Sequence, residues 1–286
     1  MQLAERDPPL GIAHFTVIDV PPAELVQLAA RIGYACIGLR LHPAFPGAPF
    51  YEIPSGSAAM REMKQRLGDT GIAVYDIEFV TVGEGFVATD LTAMLASAAE
   101  LGAKRLSVCG DDPDPGRQVA SFATLCDLAA GFGMGVDLEC MAWRQVASLP
   151  TAVRVVEAAG RPNGGALVDA IHLSRTGGSP ADLAGVPARL VRSAQLCDVP
   201  ARRPATNEAI MQEARSGRLP PGQGELPLRE LLAVLPQDTA IGVEVPMDGN
   251  APAELHAQWI FDATQQLFDH CRRLQSQTSL IGENQA

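Results

Sequence analysis

The chain has 286 residues, a formal net charge of −11 at pH 7 and six cysteines with no CxxC pair among them. The charge balance offers no basic patch for nucleic acid or an anionic membrane surface, and no run of about 18 apolar residues reads as a membrane span. With 47% hydrophobic and 19% charged residues, the composition excludes a disordered chain or a disulfide scaffold and fits a reduced, cytoplasmic, globular protein with a small-molecule partner.

The apolar run at 10–18 reads as a strand, and Pro21-Pro22 opens a helical pattern over 23–32 that stops at Gly33. Residues 36–41 (CIGLRL) give a second strand. A Pro- and Gly-rich loop follows, placed to lie over a site, and then a helix over 57–67. The β-branched and aromatic stretch 72–82 predicts a third strand, followed by a helix over 90–101 with Asp90 as N-cap and Gly102 as stop. Strands at 105–109 and 134–140 enclose a helix over 118–131, and a helix over 151–159 leads to a strand at 166–173. Further strands at 191–196 and 241–245 alternate with helical patterns at 179–183, 207–216, 226–235 and 252–274.

Eight strands recurring about every thirty residues, each followed by a helical pattern, imply a parallel sheet, and eight repeats imply an α/β fold closed as a single-domain (β/α)₈ TIM barrel. The first strand-to-helix turn has no GxGxxG, which argues against an open dinucleotide-binding sheet. Residues 1–274 are expected to form the barrel, with 201–224 a lid insertion because long loops in such folds are more often functional than idle, and 275–286 a flexible tail.

Catalytic groups in this architecture come from the C-terminal ends of strands. The stretch ALVDAIHLSR (166–175) is an apolar run carrying Asp169, His172 and Arg175, groups that a buried strand holds only when something compensates them. Its neighbours end in Glu139 (GVDLEC), Gln195 with Asp198 (AQLCD) and Glu244 (IGVEVP). Three carboxylates and an amide oxygen converging from adjacent strands would repel one another without a cation. They suit a divalent ion, Mg²⁺ or Mn²⁺ first, with Co²⁺ or Zn²⁺ as alternatives.

Together with PPGQGEL, these motifs give the chain a resemblance to the xylose isomerase-like barrel superfamily of sugar-phosphate isomerases and ketose 3-epimerases, over nearly its whole length. The resemblance implies that Glu139, Asp169, Gln195 and Glu244 are the metal ligands, with Gln195 standing where ketose epimerases usually carry His. It further implies that Glu139 and Glu244 move protons next to a carbonyl of a sugar-like or polyol substrate, through a metal-stabilised enediolate. His172, in the family's D-x-x-H pattern, would contact substrate. Arg202 (or Arg203) and Arg175 are expected to anchor substrate oxygens; Glu78 and His14, with His42, lie near strand mouths and are expected to line the substrate pocket or else to serve the core or a loop, and Trp143 is placed either over a substrate face or in packing.

The resulting expectation is a metal-dependent isomerase or epimerase. Two alternatives are a lyase resembling 3-dehydroshikimate dehydratase, which expels a β-hydroxyl from the same enolate, and a noncatalytic sugar-binding barrel. Apurinic endonucleases share the barrel but use more histidines and a basic groove, which five histidines and the net charge oppose. Because related enzymes are often dimers or tetramers, a homo-oligomer is also expected.

Overall fold

Eight parallel strands hydrogen-bond in sequence order and close into a barrel, β1 pairing with β8 to complete the ring. They are β1 (Leu10–Ile12), β2 (Cys36–Leu39), β3 (Ala73–Gly83), β4 (Arg105–Asp111), β5 (Gly135–Glu139), β6 (Gly164–Asp169), β7 (Val191–Leu196) and β8 (Ala240–Val243). The computed structural model describes residues 9–247, 249 and 251–283.

The helices that cross between strands are α1 (Pro22–Ile32), α2 (Ala58–Thr70), α3 (Thr92–Glu100), α4 (Pro115–Ala130), α5 (Leu149–Ala159), α6 (Ala170–Arg175), α7 (Asn207–Ser216), α8 (Leu228–Val234) and α9 (Ala253–Glu283). Their limits follow local chemistry. Ser57, Asp114 and Ser148 each accept a backbone N–H in the first turn of α2, α4 and α5, and Gly33, Gly71 and Gly160 close α1, α2 and α5 with positive φ. Apolar faces such as Leu25, Val26, Leu28 and Ala29 of α1 pack on the outside of the barrel.

The barrel interior is polar, in contrast to the branched aliphatic layers common in this architecture. Asp137 accepts hydrogen bonds from Arg105 and from Ser193 (2.8 Å), and Ser107 donates to Asp76 at 2.9 Å. Gly38 makes room for this layer. A Cβ there would stand 2.2 Å from Glu78 Oε1 and 2.8 Å from Asp76 Oδ1, so a side chain on β2 would displace both carboxylates of β3.

Several boundaries depart from expectation: the strand read over 10–18 ends at Ile12, and His14–Val17 form a 3₁₀ turn. The strand predicted over 166–173 ends at Asp169, because its carboxylate accepts the backbone N–H groups of Ile171 and His172 and thereby caps α6; His172 and Arg175 are helical. Asp90 caps nothing. It lies in a 3₁₀ turn, Ala88–Leu91, whose last residue is already αR, so the chain enters α3 without an extended capping residue. The last helix is continuous through Glu283, past the end expected at Leu274, and residues 284–286 of the expected tail lie outside the described residues.

Candidate metal and substrate site

Register places the expected ligands side by side at one rim. Asp169 pairs with Gln195 across β6 and β7, Glu139 is the last residue of β5, and Glu244 follows β8 directly, its backbone N–H bonded to Leu196 O at 3.2 Å. All four are buried. Asp169 is held by its own helix cap on Oδ1, while Oδ2 accepts from Arg218 at 2.6 Å. The same guanidinium reaches Glu244 Oε2 at 2.9 Å and donates to the carbonyls of Ala214 and Glu244. Gln195 Nε2 lies 3.4 Å from Glu244 Oε1.

Arg218 went unnoticed in the sequence, where it is one basic residue in the loop GRLPPGQGEL. The loop is fixed from below. Asp198 exchanges two 2.8 Å backbone hydrogen bonds with Leu219, and its carboxylate accepts from Val199, Gly222 and Leu226. Gly224 is required by this contact, since a Cβ there would sit 2.4 Å from Asp198 Oδ1. Asp198 is thus a loop anchor, and its reward is the position of Arg218.

The electrostatics of the cluster are unequal. Burial raises Glu139 well above the ordinary carboxylate range, with the charges of Asp169 and Glu244 adding to it. Burial likewise raises Glu244 to about 7 against the pull of Arg218. For Asp169 burial pulls the other way but loses to Arg218, which holds the carboxyl below its usual range. His172 is pushed down to about 4 by burial, so the imidazole is neutral near pH 7.

These residues fit a divalent cation. Three buried carboxyls face one guanidinium, Glu139 Oε1 and His172 Nδ1 have no hydrogen-bond partner among the described residues, and ligand atoms of Glu139, Asp169 and His172 lie within 4.8 Å of one another. An unpaired buried carboxylate oxygen beside a neutral imidazole is a cation's donor set. His172 therefore stands with Glu139 and Asp169 in a possible ligand set, a place the sequence reading did not give it, while Gln195 and Glu244 adjoin them.

A cleft opens above the cluster, walled by Phe15, Phe79, Met141 and Trp143 and edged by Arg40, Arg144 and Arg215. Trp143 meets the His172 ring edge-on at 5.2 Å, so it faces the cleft while its flank packs on the core. The segment 201–224 contributes Ala214, Arg215 and Arg218 to the lining. Arg215 stacks over Phe45 at 5.0 Å, joining this segment to the Pro- and Gly-rich loop after β2.

Other expected residues lie elsewhere. Arg175 is fully buried and is engaged by Glu213 on α7 (2.6 and 2.9 Å) and by Pro200 O, so its guanidinium ties α6 to α7 and does not line the cleft. Arg202 is exposed and outside the lining, Arg203 donates to Arg175 O, and His42 is half-buried in its loop. His14 and Glu78 stand behind the cleft wall. Glu78 accepts from the backbone of His14 (2.6 Å) and Phe15 (3.1 Å), and His14 Nδ1 accepts from the backbone N–H of Arg40 while Nε2 donates to Val20 O. Burial pushes His14 down to about 4, consistent with that neutral tautomer. Arg40 and Arg144 are lining residues that the sequence reading does not name, although both stand at strand ends, Arg40 after the apolar run CIGL and Arg144 just past β5.

The sequence profile of a family described as xylose isomerase-like TIM barrel matches residues 26–264. No curated protein matches the sequence. Among solved structures, the chain is similar to a xylose isomerase-like TIM barrel/4-hydroxyphenylpyruvate dioxygenase fusion protein at 20% identity and a TM-score of 0.78; the match covers 96% of this chain and 44% of the fusion, so the chain spans less than half of that protein. An IolI protein with a bound zinc atom matches at 17% identity and a TM-score of 0.76, over 92% of this chain and 98% of its own. The probable 3-DHS dehydratase AsbF from Bacillus anthracis matches at 13% identity and a TM-score of 0.70, over 90% and 98% respectively. Likeness at these identities concerns the fold.

Proposed function

Because the chain belongs to the xylose isomerase-like TIM barrel family, we propose that it is a divalent-metal-dependent isomerase or epimerase that removes and returns a proton next to a carbonyl of a small polyhydroxylated substrate. The observation that carries this reading is the pair of buried glutamates, Glu139 and Glu244, lining one cleft from strand positions three apart in a ring of eight. Groups so placed address a substrate from different sides, as inversion or transfer at a carbon requires.

When bound, the divalent ion supplies Lewis-acid polarisation of the carbonyl. Glu139 is the group that accepts the proton once a cation's charge offsets the burial that otherwise keeps its carboxyl protonated. Glu244 returns it, with Arg218 and Gln195 fixing the carboxyl. His172, neutral and with Nδ1 free, binds a substrate hydroxyl or completes the ligand set. Trp143 and Phe79 exclude water from one side of the cleft.

A dehydratase is the second reading, and the aromatic walls favour it: Phe15, Phe79 and Trp143 give flat apolar surfaces suited to a ring that becomes unsaturated. One experiment addresses both. The metal-loaded protein is incubated in D₂O with D-fructose, D-allulose and 3-dehydroshikimate, and C–H exchange is followed by NMR beside the ultraviolet absorbance of an aromatic product. Deuterium entry next to a sugar carbonyl supports the isomerase, and aromatic product supports the lyase. Glu139→Gln should abolish either signal, by about 10²-fold or more, and lower bound metal. Metal binding without any exchange on an extended set of ketoses and keto acids would leave a noncatalytic barrel.

A further inference from the structure

Arg40 is the least satisfied cation near the cleft. It closes β2, is 2% exposed, and its guanidinium carbon lies 4.5 Å from the centre of the Phe15 ring and 5.6 Å from that of Phe79. Its Nε has no hydrogen-bond partner among the described residues. Among the described residues its one ion-pair contact is long, 3.5 Å from Nη2 to Glu78 Oε2, because both oxygens of Glu78 are already drawn toward the backbone N–H groups of His14 and Phe15.

The other arginines of the cleft differ. Arg218 is engaged by Asp169 and Glu244, Arg144 by Asp111 at 2.6 Å, and Arg215 is exposed. Glu78 gives Arg40 a fixed orientation without saturating it. Burial also raises Glu78 to about 7, so the charge opposite Arg40 is incomplete near neutral pH. A buried guanidinium with donors to spare, on the wall of a substrate cleft, lacks an anion.

We propose that Arg40 is a substrate-binding residue that receives a carboxylate, and hence that the substrate is a small hydroxylated carbonyl acid, not a neutral sugar. This deepens the preceding reading and rests on the same cleft being the substrate site. The planar fork of the guanidinium, held between two phenyl rings, matches a planar carboxylate. A phosphate gathers several donors in three dimensions, and the flanking rings supply none.

The test compares acids with neutral isosteres on the full-length protein, by calorimetry and ligand-observed NMR, in the presence and absence of Mn²⁺. The probes are shikimate, quinate and D-glucuronate against methyl shikimate, methyl quinate and D-glucose, with inorganic phosphate and D-ribose 5-phosphate as alternative anions. At least one acid should bind about tenfold or more tightly than its neutral partner, with an advantage that falls as salt rises. Arg40→Met should remove that advantage, and Arg40→Lys should restore part of it, which a purely structural role would not do.

The inference is overturned if every acid fails to bind or equals its neutral partner, if a phosphate binds better than all the acids, or if folded Arg40→Met keeps the preference. Should Arg40→Met fail to fold, the acid-to-neutral ratio of the wild type and of Arg40→Lys still decides. Because binding is read without turnover, the two readings fail separately. Proton exchange with no acid preference defeats only this one, and acid preference without exchange defeats only the isomerase.

Discussion

At the scale of single residues, the polar barrel interior makes a pH prediction of its own. Asp76 is half-buried on β3 with Ser107 as its hydrogen-bond donor, and loss of solvation raises its carboxyl from 3.8 to about 7 in the folded chain. A folded-state value above the unfolded one means that the stability associated with this proton is complete below about pH 4 and is lost as pH rises through about 7. Asp76→Asn keeps an oxygen for Ser107 and removes the charge. Its urea unfolding free energy should therefore be close to wild type near pH 4 and exceed it by about 1–4 kcal/mol near pH 8. Equal differences at both pH values would show that the carboxyl does not carry this cost. Gln195 illustrates a different residue-level point: its amide bridges toward Glu244, so a neutral side chain can orient a buried carboxyl without adding charge to a crowded acidic rim.

At the scale of elements, the segment between β7 and β8 packs on the barrel through the buried Ile210, Leu228, Leu231 and Leu232, and polar contacts fix where it meets the cleft. Arg175 on α6 grips Glu213 on α7, and Asp198 separately ties down the Gly- and Pro-rich loop that carries Arg218. Removing one partner of a buried ion pair strands the other, at about 3–5 kcal/mol when both are fully buried. Glu213 retains 14% exposure, so Arg175→Met is expected to cost less, roughly 2–4 kcal/mol in chemical unfolding. Affinity for small acids per folded molecule should change little, because Arg175 does not line the cleft. A weakened ligand affinity with unchanged stability would restore the substrate role that the sequence alone suggests for it.

At the scale of the whole molecule, the closed barrel places three carboxyl groups from different strands against one guanidinium at one rim. A divalent ion that binds the folded chain but not the unfolded one stabilises it by mass action, about 2.7 kcal/mol at a hundredfold excess over its Kd. For a chain of this size that is a rise in Tm of roughly 5–10 °C. Differential scanning of chelator-treated protein with and without Mn²⁺ or Zn²⁺ measures it. The rise should be larger near pH 8 than near pH 6, since ligand carboxyls must lose protons to bind a cation. A Tm indifferent to every divalent ion would argue that Arg218 alone balances the acids. Among the described residues no helix is long and apolar enough to cross a membrane.

The strand positions, the closure of the ring and the rim acids were legible because each rests on local pattern: apolar runs of strand length, helical patterns between them, and polar residues at run ends. Glu139, Asp169, Gln195 and Glu244 were found that way, and the structure brings them to one rim. What periodicity does not encode is which arginine reaches which carboxylate. Arg175 and Arg202 looked like anchors because they follow strands six and seven, yet one is turned outward by Glu213 and the other is exposed. Arg218 and Arg40 looked unremarkable, and tertiary packing made them the cations of the cleft.

The chain by itself thus determines the barrel and the acidic rim, since both follow from side chains acting within one strand-helix unit. Only the closed tertiary structure decides that Arg218 lies between Asp169 and Glu244, that His172 sits at helix height beside Glu139, and that Arg40 is left with an unused donor. Those outcomes depend on distances between residues 26 to 64 positions apart or more, which are set by ring closure and by the limited space inside it.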